Sequence, residues 1–167
     1  YIPLHGLGTI VRAAKLVEEA GVAVAWELVG AGQEEARITA LIAQLGVRSV
    51  TQVGWVAPTE LPGRIRDADV GLGVFGTSGK ALTVIPNKAY EIAATQTPLI
   101  SGDSPAMRDF APGHPWVFRT TPGDPQALAE RVIAIARMEE WPDAPPMPVI
   151  GPREVGEAFT RVIAGLA

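Results

Sequence analysis

Two lysines and a glutamate, Lys80, Lys88 and Glu91, bracket a proline-initiated helix start in the middle of the chain, within FGTSGKALTVIPNKAYEIAATQTP (Phe75 to Pro98). Pro86 suits the first helical turn, because its missing N–H would have no intrahelical partner there and its fixed φ already matches the helix. The amides of Asn87, Lys88 and Ala89 are then expected to point free. A helix N-terminus with unpaired donors and a positive dipole end attracts anions. Lys80 and Lys88 add full charges, and Glu91, three residues beyond Lys88, shares its helical face. Such a set could cradle two phosphates with a carboxylate beside them, as a nucleotide's diphosphate and ribose require. The same residues also describe an ordinary helix start with a solvated Lys–Glu pair, so the rest of the chain must decide.

Other candidates are weaker. Gly30-Ala31-Gly32 begins a dinucleotide fingerprint, but Glu35 stands where the third glycine belongs, and two glycines suffice for a plain strand-to-helix turn. His5, next to Gly6 at a helix entry, could donate to an anion or be merely solvated. Gly54-Trp55-Val56 could lay its backbone against a flat base with Trp55 as a wall, or Trp55 could pack the rim. His114, between Gly113 and Pro115, reads as loop. Ser78, Ser101 and Ser104 lack a G-x-S-x-G setting, and Asp67 and Asp69 read as capping residues.

The elements that must position these residues alternate. Helices are expected over Leu7–Ala20, Gln33–Leu45, a short piece ending at Asp67, the stretch from Pro86, Ser104–Phe110 and Pro125–Met138, the last capped by Asp124. Strands are expected over Ala23–Val29, Ser49–Val53, Ala68–Phe75, Pro98–Ser101 and Trp116–Arg119. A Pro-rich loop, Trp141–Pro152, leads to a trailing helix over residues 153–166. The alternation implies an α/β fold, a Rossmann-like parallel sheet with helices on both faces, whose ligands bind beyond the carboxyl ends of the strands. Gly30–Gly32, Gly54–Val56 and Gly76–Asn87 then share one rim.

Composition narrows the class. A chain of 167 residues supports one well-cored domain, and 47% hydrophobic residues supply a buried sheet. A net charge of −4 gives no electrostatic case for nucleic acid or an anionic membrane surface. No Cys and two His exclude thiolate sites and leave little for a histidine metal centre, so neither metal nor cofactor is expected. No apolar run reaches 18 residues and Tyr1 opens without a signal-like segment, so the expectation is a piece of a longer, cytoplasmic polypeptide, with peripheral membrane attachment left open.

Six landmarks in order resemble a known family: PLHG and its helix (Pro3 to Ala14), ELVGAG (Glu27 to Gly32), VTQVGWV (Val50 to Val56), ADVGL (Ala68 to Leu72), IPNKAYEIAATQTPLI (Ile85 to Ile100) and GDPQALAERV (Gly123 to Val132). Together they resemble the C-terminal, nucleotide-sugar-binding half of GT-B glycosyltransferases, specifically the retaining group 1 enzymes (family GT4). The resemblance implies that residues 1–167 form a single donor-binding domain, one GT-B half, of a hexosyltransferase acting on a UDP-, GDP- or ADP-sugar, with an acceptor-binding N-terminal domain elsewhere in the same chain. It implies that Glu91, matching the second glutamate of the E-x7-E motif, binds the ribose. The preceding loop, with Gly79, Lys80, Thr83, Val84 and Asn87, would hold diphosphate and sugar, and Gly54, Trp55 and Val56 would meet the base. Lys88 is then the leading diphosphate cation, with His5 second, and Gly6 beside it is counted with the binding residues. Thr83 replaces the first glutamate and His5 the usual lysine, so sugar recognition would pass to Thr83 and nearby main chain. A nucleotide-binding regulatory module and a GT-B-fold sugar-nucleotide epimerase are the alternatives. The family domain also normally begins with a strand ahead of the PLHG-like loop, so a sheet edge left open to pairing is expected.

Overall fold

The structure, a computed structural model, describes residues 1–148. The helix expected over 153–166 lies outside the described residues. A 3-10 turn (Pro3–His5) leads into α1 (Leu7–Glu19), followed by β1 (Trp26–Val29), α2 (Glu35–Leu45), β2 (Val50–Val53), α3 (Leu61–Asp67), β3 (Gly71–Leu72), α4 (Gly79–Thr83), α5 (Asn87–Ala94), β4 (Leu99–Gly102), α6 (Pro105–Phe110), β5 (Val117–Thr120) and α7 (Pro125–Ala136).

Every strand pairing is parallel, but the strands form two ladders. β1 pairs with β2, Trp26 opposite Val50, while β4 sits between β3 and β5 with Leu99 opposite Gly71 and Val117. Between the carboxyl ends of β1 and β3 runs the segment Tyr1–His5. The Tyr1 amine donates to the Ala31 carbonyl, and the Glu34 N–H donates to the Tyr1 carbonyl at 3.2 Å. On the other side, Phe75 N–H and Gly76 N–H donate to the carbonyls of His5 and Leu4, each at 3.2 Å.

Helices cover both faces, and the alternation of side chains along each strand explains why. Ile100 packs in the layer of α1, α2 and α7 with Val11, Ile38 and Leu128. Its neighbour Leu99 packs in the opposite layer with Ile92 of α5 and Met107 and Phe110 of α6. The first layer also holds Trp26 and Leu28 of β1 together with Phe75, so one apolar cluster spans both ladders.

Three expected elements differ. The strand expected over Ala23–Val29 forms at Trp26–Val29, because β2 offers partners from Val50 onward. The strand expected over Ala68–Phe75 contracts to Gly71–Leu72, because the ladder is interrupted at Val74: Gly73 N–H still donates to Ile100, at 2.7 Å, but Gly102 N–H donates to Val74 rather than to Gly73. The loop expected before Pro86 contains α4, started by Ser78, whose hydroxyl accepts from Ala81 N–H at 3.2 Å.

The Asp124 carboxylate caps α7 by accepting from the N–H groups of Gln126 (2.9 Å) and Ala127 (3.1 Å). Replacing Asp124 by Ala should lower the unfolding free energy by about 1 kcal/mol. A urea midpoint equal to the wild type would show that the cap contributes nothing.

Candidate functional site

The site assembles at the carboxyl rim, where the turn Pro3–His5 meets the starts of α4 and α5. Pro86 is extended (φ −72, ψ 145) and buried, and it is the cap residue of α5 rather than its first turn. As the first two helical residues, Asn87 and Lys88 have no acceptor a turn earlier within α5. Ala89, expected to be a third free donor, instead bonds its N–H to the Pro86 carbonyl at 2.9 Å, closing the first turn.

His5, Lys88 and Glu91 form one electrostatic unit. Lys88 is half-buried as a residue, and burial of its ammonium pushes its pKa down to about 8 against the opposing pull of the Glu91 carboxylate. His5 is pushed down to about 4, first by burial and then by the Lys88 charge and the chain amine. At neutral pH Lys88 is therefore a cation and His5 a neutral imidazole, able to donate one hydrogen bond but not to add charge. Glu91 is exposed on the helix face it shares with Lys88.

α4 carries Gly79 and Lys80 on its exposed first turn. Thr83 is exposed too, but its hydroxyl donates to the Gly79 carbonyl at 3.0 Å, within the helix itself. Val84 ends α4 half-buried. Gly54, Trp55 and Val56 follow β2, on the other ladder. Trp55 is 77% exposed, so its ring projects into solvent rather than packing the rim. The glycines at 30 and 32 serve the chain itself: Gly32 has φ +153, and a Cβ there would lie 2.5 Å from the Tyr1 nitrogen. His114 is a loop fastener, its Nδ1 accepting from Trp116 N–H (3.1 Å) while Nε2 meets the Pro145 carbonyl (2.8 Å).

Beside the His5 turn lies a cleft of about 360 Å³ lined by Gly6, Thr9, Arg12, Arg37, Thr77 and Gly123, among others. Arg12 and Arg37 escape sequence reasoning because α1 and α2 bring them together only by packing, with no shared motif. Arg37 is engaged by the Glu34 carboxylate, with Nε at 2.9 Å. Among the described residues no three His, Asp or Glu side chains converge as metal ligands, and no helix is long and apolar enough to cross a membrane.

A parallel α/β unit with a buried cation, a neutral imidazole and bare helix amides at its carboxyl rim defines a domain suited to phosphorylated ligands. Residues 2–138 match the family model for group 1 glycosyl transferases, and the chain belongs to that family. It is 27% identical over 137 residues to WcaL of Escherichia coli K12, a protein named for glycosyl transfer in colanic acid biosynthesis; the match covers 80% of this chain and 34% of WcaL. The fold is shared with Staphylococcus aureus TarM, crystallised as a mutant with fondaparinux, alpha-GlcNAc-glycerol and UDP (TM-score 0.68, 15% identity, 83% of this chain and 27% of that one). It is shared also with Anabaena HepE, crystallised with UDP and glucose (TM-score 0.65, 19% identity, 81% of this chain and 36% of that one). The GT-B assignment expected from the sequence is thus met, and the chain spans about a third of the length of these relatives.

The buried lysine makes a signed prediction. Between pH 8 and 10.5 the unfolded chain holds a proton on Lys88 that the folded chain has released, so this group makes stability rise with pH across that window. Comparing unfolding of the wild type with Lys88→Met from pH 7.5 to 10 should show the wild type gaining on the variant as pH rises. A constant difference would place the ammonium in solvent.

Proposed function

We propose that the chain is the donor-binding half of a glycosyltransferase that moves a hexose from a nucleoside diphosphate sugar to an acceptor with retention. The observation that carries the reading is the convergence of His5, Lys88 and Glu91 at the uncapped start of α5. In this reading the Asn87 and Lys88 amides and the Lys88 ammonium hold the diphosphate, with the His5 imidazole donating from the facing turn; Gly6, whose own N–H is bonded to the Pro3 carbonyl at 3.1 Å, contributes only close approach. Glu91 accepts from the ribose hydroxyls, Gly54–Val56 and the Trp55 ring meet the base, and Gly79, Lys80, Thr83 and Val84 border the sugar.

Catalysis would then be electrostatic. As the bond from the sugar's anomeric carbon to the diphosphate oxygen breaks, negative charge grows on the departing phosphate, where Lys88 and the helix amides already point. No metal is assigned to this step, since the protein supplies the positive charge. The acceptor would be placed by the separate N-terminal domain, so the isolated chain should bind donor weakly and transfer nothing; efficient turnover by it alone would overturn that division of labour.

Two substitutions separate the roles. Lys88→Ala should weaken both UDP and inorganic pyrophosphate by roughly tenfold or more, the scale of one charge-assisted hydrogen bond. Glu91→Ala should weaken UDP similarly and leave pyrophosphate unchanged. Calorimetry showing wild-type affinities for both variants would remove these residues from the site. In the full-length protein, UDP or GDP binding without release of nucleoside diphosphate from any sugar donor would favour a regulatory module.

A further inference from the structure

Ser101 lies in the middle of the sheet, 0% exposed, and its hydroxyl bonds to the main chain rather than to another side chain. It faces the interruption in β3. A regular parallel ladder would send Gly102 N–H to Gly73; here Gly102 N–H donates to the Val74 carbonyl at 2.8 Å, so Gly73 and Val74 together oppose the single residue Ser101. The extra residue leaves Val74 N–H without a main-chain acceptor on β4. The Ser101 hydroxyl fills that place, accepting from Val74 N–H at 3.2 Å and lying 3.3 Å from the Val74 carbonyl as its donor. Size matters as much as polarity. A Cβ on Gly73 would come within 2.5 Å of the Ser101 oxygen, and one on Gly102 within 2.8 Å of the Val74 carbonyl oxygen.

The bulge has a direct consequence one residue on. Bulges re-aim the chain beyond them, and the next two residues here are Phe75 and Gly76, whose N–H groups hold the His5 and Leu4 carbonyls. The approach there leaves no slack: a Cβ on Gly76 would lie 2.5 Å from the Leu4 oxygen, and one on Gly6 2.6 Å from the Phe75 carbonyl carbon. We propose that Ser101 is a positioning residue of the site, its hydroxyl holding the Val74 bulge in the register that presses the His5–Gly6 turn against Phe75–Gly76. There His5 feels the Lys88 charge of α5. Its meaning for donor binding rests on the reading above, whereas the positioning itself is testable without any ligand.

The chain has two histidines, so its imidazole titrations resolve the question. In ligand-free wild type, NMR should show His5 titrating near pH 4, where burial and the facing Lys88 hold it. In Ser101→Ala, Val74 N–H loses its partner and the Val74 carbonyl keeps only Gly102 N–H, the turn relaxes, and the His5 midpoint should rise by about one pH unit, the scale of a partial return to solvent. The ring signals of His114, fastened to Trp116 and Pro145 far from the bulge in sequence, should keep their wild-type chemical shifts at neutral pH. Ser101→Cys, a smaller change with a longer bond and a weak donor, should move His5 in the same direction by less. A His5 midpoint equal to wild type in either folded variant overturns the proposal, whatever the loss of stability. UDP affinity should fall severalfold in the same variants; if wild type itself fails to bind UDP while the His5 shift appears, the donor reading falls and the positioning role stands.

Discussion

The rim depends on one backbone contact, the crossing of Leu4–Gly6 with Phe75–Gly76. Two N–H groups just beyond β3 meet two carbonyls of the Pro3–His5 turn, and Gly6 and Gly76 lie at the crossing at distances no Cβ would permit. Gly6 combines both demands, with φ +67 for the turn into α1 and no room for a side chain. From this contact His5 inherits its position, α1 its starting point and the facing cleft its wall. Phe75, fully buried, anchors the crossing from below, and Gly123 N–H ties the Phe75 carbonyl to the loop before α7 at 2.8 Å.

The electrostatics of the site run against its own comfort. A lysine lowered to about 8 and a histidine lowered to about 4 are both groups whose charged form the fold disfavours. Structural ion pairs shift in the opposite sense, as Asp103 shows, held below its usual range by its bond to Arg108. Glu91 does not cancel the Lys88 charge, and an incoming anion would raise both pKa values at once. A site with this sign gains more from a doubly charged ligand than from a singly charged one, because each negative charge relieves an existing penalty.

Sequence reasoning reaches this site through local chemistry. Pro86 with Asn87, Lys88 and Glu91 is legible because caps, propensity and i, i+3 spacing act within one helix turn. Asp124 is legible as a cap for the same reason, and it accepts from amides two and three residues on. The features that escape depend on register between distant segments. The extra residue at Val74 leaves no mark on apolar periodicity, since Val70, Leu72, Val74 and Phe75 read as one strand. The closing of Ala89 N–H on Pro86 and the α4 turn at Ser78 depend on where each helix begins to within one residue, finer than composition resolves. Trp55 is undecidable from sequence for another reason: whether an aromatic on a rim packs or projects is a question about its neighbours.

In the proposed donor reading the two ladders also divide the work of recognition. The groups assigned to phosphate and ribose hang from β3 and α5, whereas Gly54–Val56 hang from β2, and no hydrogen bond joins β1 to β3 among the described residues. Their relative placement is held instead by apolar packing, in the layer where Trp26 and Leu28 meet Phe75 and Ile100 beneath α1 and α7, and by the Tyr1–His5 segment bonded to both sides. Packing of this kind is non-directional and tolerates small sliding, while a backbone ladder fixes register. In the proposed donor reading, the span between base and phosphate is therefore the one dimension that no strand ladder fixes among the described residues. In that reading a nucleotide bridging the two ladders would add a direct link between them that the strand pairing does not supply.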